Sequence, residues 1–94
     1  MQPYYITGHS RPVRKVLFSQ EGDLLFTCSD DASVIAYHTS DCRRLRVFQI
    51  GDACKSIDLT KDAKVLVASS TTKGLMFFDV KTGDQIGLVK VPSI

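Results

Sequence analysis

Apolar runs of four to seven residues, rich in Val, Ile, Leu and Phe, recur along the chain between clusters of Gly, Asp, Ser and Thr. Runs this short, punctuated so regularly, predict strands rather than helices. The first series comprises Tyr4 to Ile6, Val13 to Ser19, Leu24 to Ser29, Val34 to His38 and Leu45 to Ile50. Glu21-Gly22-Asp23, Asp30-Asp31-Ala32-Ser33 and Ser40-Asp41 separate them, residue types that suit tight turns. A second series follows at Cys54 to Thr60, Val65 to Ser70, Leu75 to Val80 and Gln85 to Val91. The pattern is that of antiparallel meanders, so the expected class is all-β.

The two series superpose. Leu25 with Leu66, Phe26 with Val67, Ser29 with Ser70, Val34 with Leu75, Tyr37 with Phe78 and Leu45 with Ile86 all lie 41 positions apart. An internal repeat of four strands at this spacing falls within the roughly 40 to 45 residues of a propeller blade. Leu24 to Phe26 and Val65 to Val67 are apolar on successive residues, which predicts strands covered on both faces. Arg44-Leu45-Arg46-Val47-Phe48 alternates instead, as an outer edge strand guarded by charge would.

Gly8-His9, Val13, Val16, Phe18-Ser19, Gly22-Asp23-Leu24-Leu25-Phe26, Ser29-Asp30-Asp31 and Val34-Ile35-Ala36-Tyr37 together resemble one WD40 repeat, and residues 54 to 91 resemble a second. The resemblance implies a fragment of a seven-bladed β-propeller. Two four-stranded antiparallel blades are expected, with residues 8–50 as the first repeat and 51–94 as the second. Residues 1–7 would supply a clasp strand belonging to the ring's last blade. The opening also resembles the i subunits of eukaryotic translation initiation factor 3 through Pro3, Gly8-His9, Arg11, Lys15-Val16, Phe18 and Glu21 to Thr27, as does Phe78 to Gln85 further on. That likeness implies a non-catalytic cytoplasmic scaffold that works with the b and g subunits on the small ribosomal subunit. Another WD40 adaptor, in signalling or complex assembly, is the alternative.

Composition adds constraints rather than a function. The chain has 94 residues, enough for one small domain, with 44% hydrophobic and 23% charged residues and a net charge of +2. That charge is well short of a dedicated nucleic-acid binder. No apolar run reaches the length of a membrane span, and the start lacks the features of a signal peptide. Membrane association is therefore not expected.

His9, Ser29 and Asp31 would spell a triad by composition, but no G-x-S-x-G elbow accompanies them. In the WD40 pattern the matching His, Ser, Asp and Trp form a structural hydrogen-bond network, so the resemblance assigns His9, Ser29, Asp31 and Tyr37 to it, with Tyr37 where Trp would stand. The second repeat offers Ser70, Thr72 and Phe78 but no His, and the network is not expected there. Cys28, Cys42, Cys54 and the two histidines, His9 and His38, lack metal-ligand spacing. No phosphate-cradling G-x-x-x-x-G-K-[ST] loop is present either. Catalysis, cofactor and metal are therefore not expected. Two basic clusters remain, Arg11, Arg14 and Lys15, and Arg43, Arg44 and Arg46. The simpler reading makes them a solvated loop and a charged edge; the functional alternative is contact with RNA phosphate or an acidic partner.

Overall fold

The computed structural model describes residues 8–90. The first sheet contains β1 (Val13–Phe18), β2 (Leu24–Ser29), β3 (Ser33–His38) and β4 (Arg44–Gln49). The second contains β5 (Cys54–Leu59), β6 (Val65–Ser70), β7 (Gly74–Asp79) and β8 (Gln85–Val89). Each is a four-stranded antiparallel meander, ordered β1-β2-β3-β4 and β5-β6-β7-β8. The run at Tyr4 to Ile6, expected as a clasp strand, lies outside the described residues, as does residue 91.

Strand ends follow local chemistry. Ser19, expected at the end of β1, instead starts the turn: its hydroxyl donates to Asp23 Oδ1 at 2.7 Å and accepts Leu24 N–H at 3.1 Å. Ladder irregularities recur with the repeat. The β1–β2 pairing shifts between Val13 and Lys15, and β5–β6 shifts between Cys54 and Ser56, so Arg14 and Lys55 occupy equivalent bulges. The same holds between Ala36 and Tyr37 and between Phe77 and Phe78. A bulge leaves one residue out of the ladder and re-aims its side chain. Turn conformations recur as well: left-handed Gly22 (φ 77) is matched by Ala63 (φ 59), and Cys42 (φ 59) by Gly83 (φ 82).

The core lies between the sheets. Phe26, Cys28, Val34, Ala36 and Phe48 of the first meet Ile57, Leu66, Ala68, Met76 and Phe78 of the second, closed at the loop by Ile50 and Cys54. β1 and β2 run against β5. Covering is not symmetrical, contrary to the expectation from the successive apolar residues. Phe26 to Ser29 are all buried, whereas β6 alternates, with Val65 and Val67 half-buried on the outward face.

Gly74, at φ 86, opens β7 where an added Cβ would lie 2.5 Å from the Val89 carbonyl oxygen. Gly22, at φ 77, has nothing within 4 Å of the same position. In urea titrations Gly22→Ala is expected to cost about 1 to 2 kcal/mol from left-handed backbone alone, and Gly74→Ala clearly more, because the β7–β8 ladder must also shift. Equal losses would show that the close approach to Val89 does not matter.

Candidate functional site

The loop before β1 carries His9, and the turn between β2 and β3 carries Asp31. His9 Nδ1 lies 2.9 Å from Asp31 Oδ2, and His9 Nε2 lies 2.6 Å from Thr27 Oγ1. Ser33 Oγ donates to Asp31 Oδ1 at 2.6 Å, and Ser33 N–H and Ser10 N–H donate to the same carboxylate. Both side chains are mostly covered, His9 4% and Asp31 10% exposed. Burial alone would raise the Asp31 carboxyl, but the hydrogen bonds from Ser33, His9 and Ser10 outweigh it and hold it at about 2.

Ser29 stands beside this cluster rather than on His9: its hydroxyl donates to the Arg11 carbonyl at 3.0 Å and accepts Asp31 N–H at 3.1 Å. Tyr37 departs from the expected network. Its hydroxyl is buried with no hydrogen-bond partner among the described residues, and burial raises its pKa. The shorter reach of Thr27, on the strand beside β3, supplies the second contact to His9. Sequence reasoning missed Thr27 and Ser33. The available signal was that residue 27 pairs with residue 35 in a β2–β3 meander, on the same face as Tyr37 and beside the loop.

The second repeat carries a loop-to-turn tie of its own without histidine, a different contact from the His network that was not expected there. There the acid is on the loop and the hydroxyl on the turn: Asp52 Oδ2 accepts Thr72 Oγ1–H at 2.8 Å and Thr72 N–H at 3.2 Å. Ser70 Oγ accepts Lys73 N–H at 2.9 Å. Hydrogen bonding from Thr72 lowers the Asp52 carboxyl.

The basic residues do not form one patch. β1 and β4 are opposite edges of the first sheet, three strand spacings or about 14 Å apart. Arg11 precedes β1, while Arg43 and Arg44 sit at the other end of the strands. Arg14 donates to Asp30 through Nε at 2.8 Å and through Nη2, and Lys55 Nζ of the second sheet approaches Asp30 Oδ1 at 3.8 Å. Lys15 Nζ reaches Ser56 Oγ at 3.3 Å. Arg46 crosses to the β7–β8 turn, Nη1 donating to the Thr82 carbonyl at 3.1 Å and Nη2 to the Lys81 carbonyl at 2.7 Å. Arg14, Lys15 and Arg46 thus tie one segment of the chain to another; Arg11, Arg43 and Arg44 remain exposed.

No group of three or more metal-ligating side chains converges among the described residues. Cys28 and Cys54 are fully buried, and contact with Cys28 together with burial pushes the Cys54 thiol up. Cys42 occupies a turn. Thr27 Oγ1, His9 and Asp31 line up as hydroxyl, imidazole and carboxylate, but Thr27 is only 3% exposed, so its hydroxyl faces the packed strands rather than an open site and the group braces a loop against a turn. No helix among the described residues is long and apolar enough to cross a membrane.

Consecutive four-stranded antiparallel meanders, with a His–Asp contact bracing the loop before the first strand against the turn after the second, are the architecture of WD40 repeats, and residues 2–38 match the sequence family described as "WD domain, G-beta repeat". Two solved structures, titled "Crystal structure of RRP9 WD40 repeats" and "Structure of U3-55K", superpose with TM-score 0.85 over 92% of this chain and 28% of theirs. At 14% identity they speak to the fold alone.

More particularly, the chain is a WD40 fragment that resembles eukaryotic translation initiation factor 3 subunit I. The protein of that name from Dictyostelium discoideum is 39% identical over 70 residues, covering 74% of this chain and 21% of its own length. The Saccharomyces cerevisiae protein is 32% identical over 93 residues (98% and 27%). The Homo sapiens protein is 30% identical over 94 residues (99% and 29%). The chain thus spans less than a third of the relatives it matches.

The Asp31 carboxyl, held at about 2 against about 3.9 in an unfolded chain, contributes stability above about pH 4 and loses it as pH falls towards 2. The stability gap between wild type and Asp31→Asn, followed by urea midpoints, is expected to narrow over that window; a constant gap would contradict it. His9→Ala should cost about 1 to 3 kcal/mol by orphaning part of this cluster, whereas Tyr37→Phe should cost less than about 0.5 kcal/mol, because no hydrogen bond is lost. A Tyr37→Phe loss as large as that of His9→Ala would restore the hydroxyl to the network.

Proposed function

We propose that the protein is a non-catalytic scaffold subunit of eukaryotic translation initiation factor 3, acting in the cytoplasm and held with the b and g subunits on the small ribosomal subunit. The observation that carries this reading is the similarity to subunit I proteins, which extends over nearly the whole of this chain in relatives from yeast and human. The site chemistry agrees with it: His9, Asp31, Thr27 and Ser33 are mutually satisfied and face no open nucleophile. Stacked sheets with braced loops offer a preformed surface, so a flexible partner segment bears the ordering cost of binding. No cofactor, metal or nucleotide enters this role. Protein contact is favoured over direct RNA contact, because three of the six clustered basic residues, Arg14, Lys15 and Arg46, are engaged within the chain and the other three, Arg11, Arg43 and Arg44, are split between two ends.

The test is affinity capture of the tagged full-length protein, followed by sedimentation. The b and g subunits should co-purify, and part of the protein should travel with small ribosomal subunits. A full-length protein that brings down neither subunit and sediments away from ribosomal particles would overturn the assignment.

A further inference from the structure

Two bulges at equivalent places in the repeats bring cations together where the sheets meet. Arg14 is left out of the β1–β2 ladder between Val13 and Lys15, and Lys55 out of the β5–β6 ladder between Cys54 and Ser56. A bulge re-aims its side chain, and both turn to Asp30, Arg14 through Nε at 2.8 Å and through Nη2, Lys55 with Nζ at 3.8 Å. Lys15 crosses the same seam to donate to Ser56 Oγ at 3.3 Å. Arg11 is held alongside by its backbone: its carbonyl accepts the Ser29 hydroxyl at 3.0 Å, and the Pro12 carbonyl accepts Asp30 N–H at 3.2 Å. Lys55 belongs to the other repeat, and only the stacking of the sheets adds it to Arg11, Arg14 and Lys15.

Counter-charge is short at this seam. The repeat supplies the bulged cation twice and the carboxylate once, because the position equivalent to Asp30 in the second repeat is Thr71. Asp30 therefore answers two cations, Lys15 meets a neutral hydroxyl, and Arg11 is exposed. Depth widens the imbalance, since the Asp30 side chain is 19% exposed and those of Arg14 and Lys55 are 50% and 53% exposed. The other carboxylates in the loops and turns at this end are engaged elsewhere: Asp31 with His9, Ser10 and Ser33, and Asp52 with Thr72. Donors are left over as well. Arg14 Nη1 makes no hydrogen bond among the described residues, and Lys55 Nζ is beyond hydrogen-bond reach of Asp30.

We propose that this seam is a docking surface for an acidic segment of a partner protein, whose carboxylates take the outward donors of Arg14 and Lys55 with Arg11 and Lys15 flanking them. Asp30 shows that a carboxylate fits between these two side chains, and a guanidinium fork has a second edge for another. A nucleic-acid strand is the poorer match, because it needs cations spaced along a groove and aromatic rings for its bases. These four instead converge around one carboxylate, and the aromatic residue of β1, Phe18, stands at the strand's far end. A further repeat of the same chain is not the occupant either: stacked sheets cover one another's faces, and the two present here leave these strand ends open. Asp30 repels an incoming carboxylate and so acts as a built-in competitor for the same cations. The surface belongs to the sheets themselves and does not depend on which complex the protein joins.

The experiment follows the fluorescence anisotropy of a fluorescein-labelled hexaglutamate peptide titrated with the full-length protein, beside a hexauridylate carrying the same label. Wild type should bind the peptide, more weakly as salt rises, and bind hexauridylate less well. Lys55→Gln should weaken the peptide about two- to fivefold and Arg11→Gln combined with Lys55→Gln about tenfold, while Arg43→Gln combined with Arg44→Gln, at the other end of the strands, should change it less than about twofold. Asp30→Asn should act in the opposite direction and tighten the peptide about two- to fivefold, a gain that a purely structural strap would not produce. Wild type that ignores the peptide, tighter binding of hexauridylate, an equal loss in the Arg43–Arg44 variant, or a folded Asp30→Asn that binds no tighter would each overturn the proposal. Should Asp30→Asn lose its strand signal in circular dichroism, the Arg11–Lys55 variant against the Arg43–Arg44 variant decides.

Discussion

A four-stranded meander has two faces and can cover neither by itself, so the apolar contact between the two sheets decides whether either exists. Phe48 is its keystone. It comes from the edge strand β4, yet its ring lies 6.5 Å from Phe26 in its own sheet and 5.5 Å, edge-on, from Phe78 in the other. Full burial of one such side chain contributes on the order of 1.5 to 3 kcal/mol, a large fraction of what a small domain has in hand. Everything at the rim, His9 on Asp31 and Asp52 on Thr72 included, presupposes loops that this stacking has already brought into place.

What the sequence made legible follows from the same contact. Repeat length, strand order and the edge position of β4 all derive from apolar period and turn chemistry, which are local, and the WD40 pattern read from Gly8-His9 and Ser29-Asp30-Asp31 lies in one such repeat. The partners within the site were harder. Thr27 meets His9 because the β2–β3 register puts it across from Ile35, under the loop, and a register is not written in residue types. Tyr37 stood where the pattern has Trp, but its hydroxyl is buried with no hydrogen-bond partner among the described residues. Asp52–Thr72 was missed because the acid and the hydroxyl exchange sides relative to the first repeat. The left-handed Cys42 was equally unreadable, since only its equivalence to Gly83 marks that turn position as one needing positive φ.

Charge in this chain acts first as internal strapping. Two bulges, 41 positions apart, lift Arg14 and Lys55 out of their ladders and aim both at Asp30, one from each sheet. Ionic contacts that remain half-exposed are individually weak, so their contribution is to alignment more than to stability. Arg46 is different in kind. It donates to two turn carbonyls of the neighbouring sheet and passes over Gly83, where a Cβ would lie 2.9 Å from Arg46 Cδ. A basic residue on an edge strand thus serves the contact between sheets rather than solvent.

The two loop-to-turn ties use different chemistry for one geometric need. A turn between the second and third strands of a meander leaves backbone N–H groups without ladder partners, here those of Asp31, Ser33, Thr72 and Lys73, and each finds a side-chain oxygen. In the first repeat the acceptors sit on the turn and His9 ties them to the loop; in the second the loop itself sends in Asp52. Either solution fixes the rim of the sheets relative to the incoming chain, and rigidity at that rim is what a scaffold contributes to binding, because a surface that is already ordered has little entropy left to lose. A missing histidine in a repeat is therefore no sign of a loose blade: the backbone donors, not the signature residue, are the constraint that has to be met.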